Sequence, residues 1–584
     1  MSTSWKLKGE AKRQSILNAI PEKWRLQSPV PPATEPRDVT GDYIRQYLTE
    51  HEITITETDA VDIVAQTSTG RWSALEVTEA FCHRAALAHQ LVRLYSYSVN
   101  CLHEVFFEAA IQDAKRQDEY FAKHKTPIGH LHGLPVSLKD QFHVKGVETT
   151  MGYVGWINTF QGQQKDPRSG TESELVRELR NLGAVLYCKT SVPATLMVGE
   201  TMNNIIGYTW NPKNRLLSSG GSSGGEGALI ALRGSPAGFG TDIGGSVRIP
   251  AGFNSLYGIR PSAGRMPYQG AANSLDGQGT ILSVIGPIAP TARSLTFLFK
   301  AVLSQEPWLH DPLALELPWR DEVVRETRAL IEKARAGSST LAFGIMKYDG
   351  LALVHPPIAR GLRIVEKTLR RLGHQVVEWT PPSHSIATEL LDNIFNMDGG
   401  ADVKYHLGLS GEPQAPEIVC NENGIQMTAS EIAALNVAKR GYQKQYMDYW
   451  HSTAEVTDTG RPVDALFCPL APHAAVIPSE FKSVGYTGFV NVLDYTSLAI
   501  PVTFADKEID VRSAAESVND SEPIQWDCGF PPCLASRGFI DDAEAYDGAP
   551  VAVQLVGRRL QEEKMLTLAE YLGEEIARDT KERI

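Results

Sequence analysis

The chain has 584 residues, of which 42% are hydrophobic and 21% charged, a balance that builds a packed core and does not describe a disordered chain. Against 56 Lys and Arg stand 69 Asp and Glu, a net charge of −13, which excludes a general nucleic-acid coat because such a surface needs basic stripes to displace counterions. At about 150 residues per domain the length allows roughly four units or one large α/β enzyme domain.

No transmembrane helix is predicted: the longest apolar stretches, such as Ala228 to Leu232 and Leu498 to Phe504, fall far short of the roughly 20 residues a span needs. The opening Met1-Ser-Thr-Ser-Trp-Lys-Leu-Lys8 has no apolar stretch of a secretory signal, and Glu582-Arg583-Ile584 is not the Ser-Lys-Leu peroxisomal address. The seven cysteines (Cys82, Cys101, Cys188, Cys420, Cys468, Cys528 and Cys533) are an odd number and form no C-x-x-C pair. Reduced, buried thiols in a cytoplasmic protein are therefore expected.

In chain order, residues 1–70 are charged and helix-prone and read as an N-terminal helical extension, with Pro29-Val-Pro-Pro-Ala33 as an extended linker. Ser73-Ala-Leu-Glu76 predicts a capping box that opens a helix through about Leu91, with Val77, Ala80 and Phe81 on its buried face. Gly133 to Lys139 (GLPVSLK) reads as a short buried strand ending in charge. Thr171-Glu-Ser-Glu174 predicts a second capping box, followed by Leu175, Val176, Leu179 and Leu182 at helical spacing, Gly183 as the stop, and a strand over Ala184–Cys188. Helix into strand across one glycine is the grammar of an α/β sheet. Residues 306–335 are polar and helix-prone, the segment of about 310–480 is less typical, and about 505–549 reads as an acidic surface insertion. At the tail, Pro550–Val556 (PVAVQLV) predicts a strand, and Met565, Ala569, Leu572 and Ile576 share one helix face. No period of 20 to 50 residues is present, so a solenoid is excluded.

Glycine is concentrated where chemistry is expected. Ten of the 26 positions from Gly220 to Gly245 are Gly, in a chain with 49 overall. Such density costs backbone entropy and needs a reason, such as positive φ or close approach of backbone to a ligand. Two clusters, Gly220-Gly-Ser222-Ser223-Gly-Gly225 and Gly240-Thr-Asp-Ile-Gly-Gly-Ser246, bracket a short helix predicted over Glu226–Arg233. Plain Gly/Ser linkers do not usually enclose Ala-Leu-Ile-Ala-Leu. A phosphate-binding Walker loop needs Gly-Lys-Ser/Thr, which occurs nowhere in the chain. Gly221-Ser-Ser223-Gly-Gly225 matches G-x-S-x-G with Ser223 as nucleophile, but the polar, Pro-containing Asn211–Ser219 is not the strand that such an elbow follows.

The remaining pattern uses both serines and a lysine. The run GGSSGGEGALIALRGSPAGFGTDIGGSVRIPA closely resembles the amidase signature family of Ser-Ser-Lys hydrolases. So do GLPVSLKD, ESELVRELRNLGAVLYCKTSVP and PVAVQLVGRRLQEEKML. The resemblance is strong over residues 70–300, the signature core being about 120–300, and the N-terminal SWKLKGEAKRQSILNAIPEKWRL and the phrase FNMDGGADV look like the fungal acetamidase branch. It implies an α/β fold with a large mixed sheet covered by helices on both faces, over residues 71–584. It also implies a catalytic triad of Lys139, Ser222 and Ser246, with Ser246 the nucleophile and Ser222, in a cis peptide, bridging it to Lys139. In related fatty acid amide hydrolases the positions matching Leu196 and Met197 line the substrate pocket.

The chemistry is consistent with that assignment. An amide is a poor electrophile, so the serine needs a base, and no histidine lies near either cluster. A lysine serves if burial keeps it neutral. Backbone N–H groups of Ile243, Gly244, Gly245 and Ser246 are expected to hold the oxyanion. The competing roles of Lys139 are snorkelling to solvent and an ion pair with Asp140. Asp242 and Arg248 either brace the loops or are solvated charges. His130-x-His132 lacks a third metal ligand and suits a turn, and neither His51-Glu52 nor His103-Glu104 extends to H-E-x-x-H.

Hydrolysis of a carboxamide to an acid and ammonia or an amine is thus expected, with no cofactor and no metal. Cleavage of longer N-acyl amides or esters is the alternative, and the glutamine-hydrolysing subunit of a tRNA amidotransferase or a catalytically dead scaffold are weaker ones. The partner is a small-molecule amide and not nucleic acid, no integral membrane segment is expected, and a homodimer is an open assembly.

Overall fold

The computed structural model describes residues 4–27, 32–91, 99–166, 171–418, 424–511 and 543–581. Thirteen strands are found among them: β1 Leu102–Val105, β2 Pro135–Lys139, β3 Val185–Thr190, β4 Met202–Asn203, β5 Gly207–Tyr208, β6 Gly238–Asp242, β7 Tyr257–Arg260, β8 Val284–Ala289, β9 Ala342–Ile345, β10 Gln375–Glu378, β11 Ala465–Pro469, β12 Ser497–Phe504 and β13 Pro550–Val556. β4 and β5 form a small hairpin. The other eleven form one mixed sheet in the order β1-β3-β2-β6-β8-β7-β12-β13-β11-β9-β10. β2 runs parallel to both β3 and β6, and the antiparallel β8, β7, β12 and β13 continue the sheet.

Both faces of this sheet are covered, which is why strands such as β3, β8 and β13 are buried along their whole length rather than on alternate residues. On β3, Leu186 packs into one core with the helix Glu562–Lys581, while Val185 and Tyr187 pack into another with the helix Ala74–Gln90. On β12, Leu498 and Ile500 face the first core and Ala499 a third.

Local signals are met where local forces suffice. Ser73 Oγ accepts from Glu76 N–H and opens Ala74–Gln90, in which Val77, Ala80 and Phe81 are buried; Glu76 accepts from the Ser73 hydroxyl and not from its N–H, so the cap forms without the reciprocal half of the box. Gly183 takes φ +85 between the helix Glu174–Asn181 and β3. Met565, Ala569, Leu572 and Ile576 are all buried on the C-terminal helix.

The second capping box is a correction. The helix begins at Glu174 with Ser173 as N-cap, and Ser173 Oγ is drawn away to the Gly270 carbonyl (2.7 Å) and the His143 N–H (2.9 Å), so Thr171 and Glu174 close no box. The polar stretch 306–335 resolves into a short turn of 3₁₀ helix at Pro307–Leu309 and the helix Asp321–Arg335. Most of the Pro29–Ala33 linker, the core of the 505–549 insertion, and Cys420, Cys528 and Cys533 lie outside the described residues. Cys82, Cys101, Cys188 and Cys468 are free and buried.

Candidate active site

β2 ends at Lys139 and its parallel neighbour β6 ends at Asp242, so both chains leave the sheet at the same edge. Ligands in open α/β sheets bind beyond the carboxyl ends of strands, and the two glycine clusters sit there.

Lys139 is fully buried. Its Nζ donates to Ser222 Oγ and to Thr241 Oγ1, each at 2.7 Å. Thr241 spends its only hydroxyl proton on Gln141 Oε1 (2.7 Å), so toward Lys139 it can only accept. One N–H of Lys139 is thereby fixed on Thr241, and loss of a proton from the ammonium frees a lone pair that can be turned to Ser222. Burial brings the Lys139 pKa down to about 7, outweighing the Asp242 and Glu226 carboxylates, which raise it.

The ion pair with Asp140 is not formed. Along a strand successive side chains face opposite sides, and Asp140 points away from Lys139. Its Oδ1 meets Lys189 Nζ at 2.6 Å, and its Oδ2 accepts from Met151 N–H (2.9 Å) and from the N–H and hydroxyl of Thr150. Nor does Lys139 snorkel, since nothing of it reaches solvent.

Ser222 follows a cis Gly221–Ser222 peptide. Gly221 has no room for a side chain: a Cβ would stand 2.5 Å from the Glu200 carbonyl oxygen. Ser246 lies in the turn between β6 and the helix Arg248–Phe253. The buried Asp242 carboxylate shapes that turn, accepting from Gly245 N–H (2.9 Å), Val247 N–H (3.2 Å), Asn491 Nδ2 (2.9 Å) and Arg248 Nε (3.0 Å). Burial opposes its charge, but the Arg248 guanidinium and these bonds outweigh burial and hold its pKa well below the usual carboxylate range. Asp242 and Arg248 are both wholly enclosed, so they are braces and not solvated loop charges.

Of the four N–H groups expected to face an oxyanion, Gly245 is the exception, because its N–H is already given to Asp242. Gly245 instead supplies backbone shape, with φ +130 and a missing Cβ that would sit 2.6 Å from Thr487 Oγ1. The N–H groups of Ile243, Gly244 and Ser246 have no acceptor among the described residues. Thr487 Oγ1 binds the Gly244 carbonyl at 2.6 Å and turns that peptide's oxygen away.

Ser222, Ser246, Thr241, Gln141, Leu196, Met197, Ile243 and Phe395 line one cavity of about 30 Å³, closed further by the loop Asn273–Ser283. Thr195 and Leu196, which also line the cavity, both hold positive φ (+76 and +63). Lys139 lies behind the wall and meets it through Ser222. Ser223 is not a nucleophile elbow: no strand leads into it, and its Oγ reaches only the Thr241 carbonyl, at 3.5 Å.

Three contributors were not named from sequence. Gln141 stands two residues beyond Lys139, and Thr241 is inside Gly240–Ser246, so strand period and motif membership could have found them. Phe395 opens the phrase FNMDGGADV but lies 149 positions after Ser246, and nothing local marks it. His130 is exposed and His132 buried in a turn whose carbonyl accepts from Thr67 Oγ1 (2.6 Å). Among the described residues no group of three or more His, Cys, Asp or Glu could hold a metal ion. Nor is any helix among them long and apolar enough to cross a membrane.

A family model described as Amidase matches residues 76–566. The chain is 45% identical over 575 residues to an acetamidase of Aspergillus oryzae, covering 98% of this chain and 99% of that one. It is 43% identical over 578 residues to an acetamidase of Emericella nidulans, covering 98% of each. Among solved structures, a fatty acid amide hydrolase superposes with a TM-score of 0.85 at 30% identity, covering 98% of this chain and 95% of that one.

Proposed function

The chain belongs to the amidase family and is a hydrolase acting on amides, and from that premise we propose that it cleaves a small carboxamide through an acyl-enzyme on Ser246. One observation carries the assignment of residues: a fully buried lysine, with its pKa brought to about 7, lies 2.7 Å from Ser222 Oγ at the wall of the cavity that Ser246 shares.

Neutral Lys139 takes the proton of Ser222 while Ser222 takes that of Ser246. Ser246 Oγ bonds to the carbonyl carbon, and the oxyanion accepts from the N–H groups of Ile243, Gly244 and Ser246. Loss of one such donor typically costs about 10²–10³ in rate. The Lys139 ammonium returns the proton through Ser222 to the leaving nitrogen, the C–N bond breaks, and ammonia or an amine departs. Water then attacks the acyl-enzyme by the same relay and releases the acid.

A short acyl group is supported by the apolar side chains of Leu196, Met197, Ile243 and Phe395 that wall the cavity beside Ser246. The similarity to two acetamidases points the same way. A cytosolic location belongs to the same proposal and is supported by the four buried free cysteines. The test is hydrolysis by purified protein of primary amides of rising acyl length. kcat/KM is expected to fall beyond a few carbons; a rise with chain length would transfer the assignment to longer N-acyl amides.

A further inference from the structure

Glu226 lies in the first turn of the helix Gly224–Ala231 and is fully buried. Its Oε2 accepts from Ser137 Oγ at 2.6 Å and its Oε1 from Thr190 Oγ1 at 2.8 Å. Ser137 is two residues before Lys139 on β2, and Thr190 is in register with Lys139 on β3. The carboxylate is thus held by the two neighbours of Lys139 that share its face of the sheet. Gly238 on β6 makes the space, since a Cβ there would collide with Glu226 Oε2 and Ser137 Oγ.

Among the described residues no Lys, Arg or His forms an ion pair with Glu226, whereas the buried carboxylates Asp242 and Asp140 are paired with Arg248 and Lys189. Asp242, the other carboxylate that acts on Lys139, is paired with Arg248. Arg84, on the helix packed above, is paired with Glu57. Burial holds Cys101, Cys188 and Tyr187 un-ionised around it.

We propose that Glu226 is a positioning residue of the amide hydrolysis, the counter-charge that stabilises the Lys139 ammonium while it holds the proton received from Ser222. No proton passes to Glu226: the proton of Ser246 ends on Ser222, that of Ser222 on Lys139, and the new positive charge stands against the existing carboxylate. Burial lifts the Glu226 pKa to about 7, against the hydrogen bonds from Ser137 and Thr190 and the pull of Lys139, so both groups titrate in the working range. The proposal rests on Lys139 being the base.

The test is the pH dependence of kcat/KM for Glu226→Gln, with Lys139→Ala and Thr190→Val in parallel. Without the carboxylate the Lys139 pKa falls, so the acid limb moves to lower pH by about half a unit or more, and the plateau drops by about tenfold or more because the ammonium loses its partner. Thr190→Val keeps the carboxylate, removes one donor that favours its charge, and shifts the limb the same way by less. A folded Glu226→Gln protein with a lowered melting temperature but a wild-type limb and plateau overturns the proposal. If Glu226→Gln does not fold, an unmoved limb in Thr190→Val overturns it instead. Activity retained in Lys139→Ala removes the relay beneath it; an inactive Lys139→Ala beside an unaffected Glu226→Gln removes this proposal alone.

Discussion

Lys139 and Asp140 are adjacent in the chain and serve opposite sides of one sheet. Lys139 Nζ lies 2.7 Å from Ser222 Oγ on one side, and Asp140 Oδ1 lies 2.6 Å from Lys189 Nζ on the other. The separation matters chemically. A carboxylate against Lys139 would hold it charged, whereas burial without that contact brings its pKa to about 7.

Activity should therefore rise with pH through about 7 and then plateau, as Lys139 loses its proton. Lys139→Ala should cost about three orders of magnitude or more. It should hurt an amide more than an ester of the same acid, since an amine must leave protonated. Lys139→Arg should not rescue, because a guanidinium stays charged. Profiles of kcat/KM for wild type and both variants on a matched amide and ester are the measurement; an active Lys139→Arg with an unchanged profile rejects the relay.

Ser246→Ala should abolish hydrolysis with the fold intact, and a fluorophosphonate probe should label Ser246 in wild type. Ser223→Ala should retain most turnover, since Ser223 Oγ reaches only a carbonyl at 3.5 Å. The reverse result in the two variants would restore the elbow alternative.

Asp242→Asn should lower both stability and kcat. It leaves Arg248 buried without its anion, a change that typically costs about 3–5 kcal/mol, and it weakens the acceptor that holds the Gly245 N–H. Because the Asp242 pKa is depressed in the fold, its stabilisation is present above the unfolded value near 3.9 and is lost as pH falls through the folded value. Chemical denaturation at neutral and acid pH checks this: the gap between wild type and variant should narrow in acid.

Phe395→Ala should widen the acyl range. Its ring is one wall of the cavity and faces Gly244, where a Cβ would stand 4.0 Å away. The ratio of kcat/KM for a six-carbon amide over acetamide should rise by about tenfold or more, since even one further methylene accommodated is worth roughly 1–3 kcal/mol. An unchanged ratio would remove Phe395 from the acyl site.

Lys12→Met should destabilise the whole protein. From the helix Ser4–Ala19, Lys12 reaches Glu104 on β1 and Glu148 (2.6 Å), all three nearly buried. Burial opposes its charge but the two glutamates outweigh it and raise its pKa. Its contribution is therefore full below the unfolded value near 10.4 and lost as pH rises through the folded one. A melting temperature lowered by several degrees at pH 7 is expected; an unchanged one would mean that the helix contributes little.

What the chain reveals by itself is what neighbours in sequence decide. The Ser73 cap, the Gly183 stop, the strand Pro550–Val556 and the helix face of Met565, Ala569, Leu572 and Ile576 depend on contacts within a few residues, and they are legible. So are the two glycine clusters around Ser222 and Ser246, because the residues that form them stand side by side in the chain, while the roles of the two serines come from the family resemblance. Contacts across the sheet are different. Ser173 abandons a local box for Gly270, 97 positions away. Gly245 gives its N–H to Asp242, Phe395 reaches the cavity from a segment with no local mark, and Glu226 finds Ser137 and Thr190 only once β2, β3 and the helix after Ser223 are packed. Above all, a lysine at a strand end is charged in water and neutral in a core, and only burial by the assembled sheet and its helices decides which, because desolvation depends on everything around Lys139 and not on Lys139 itself.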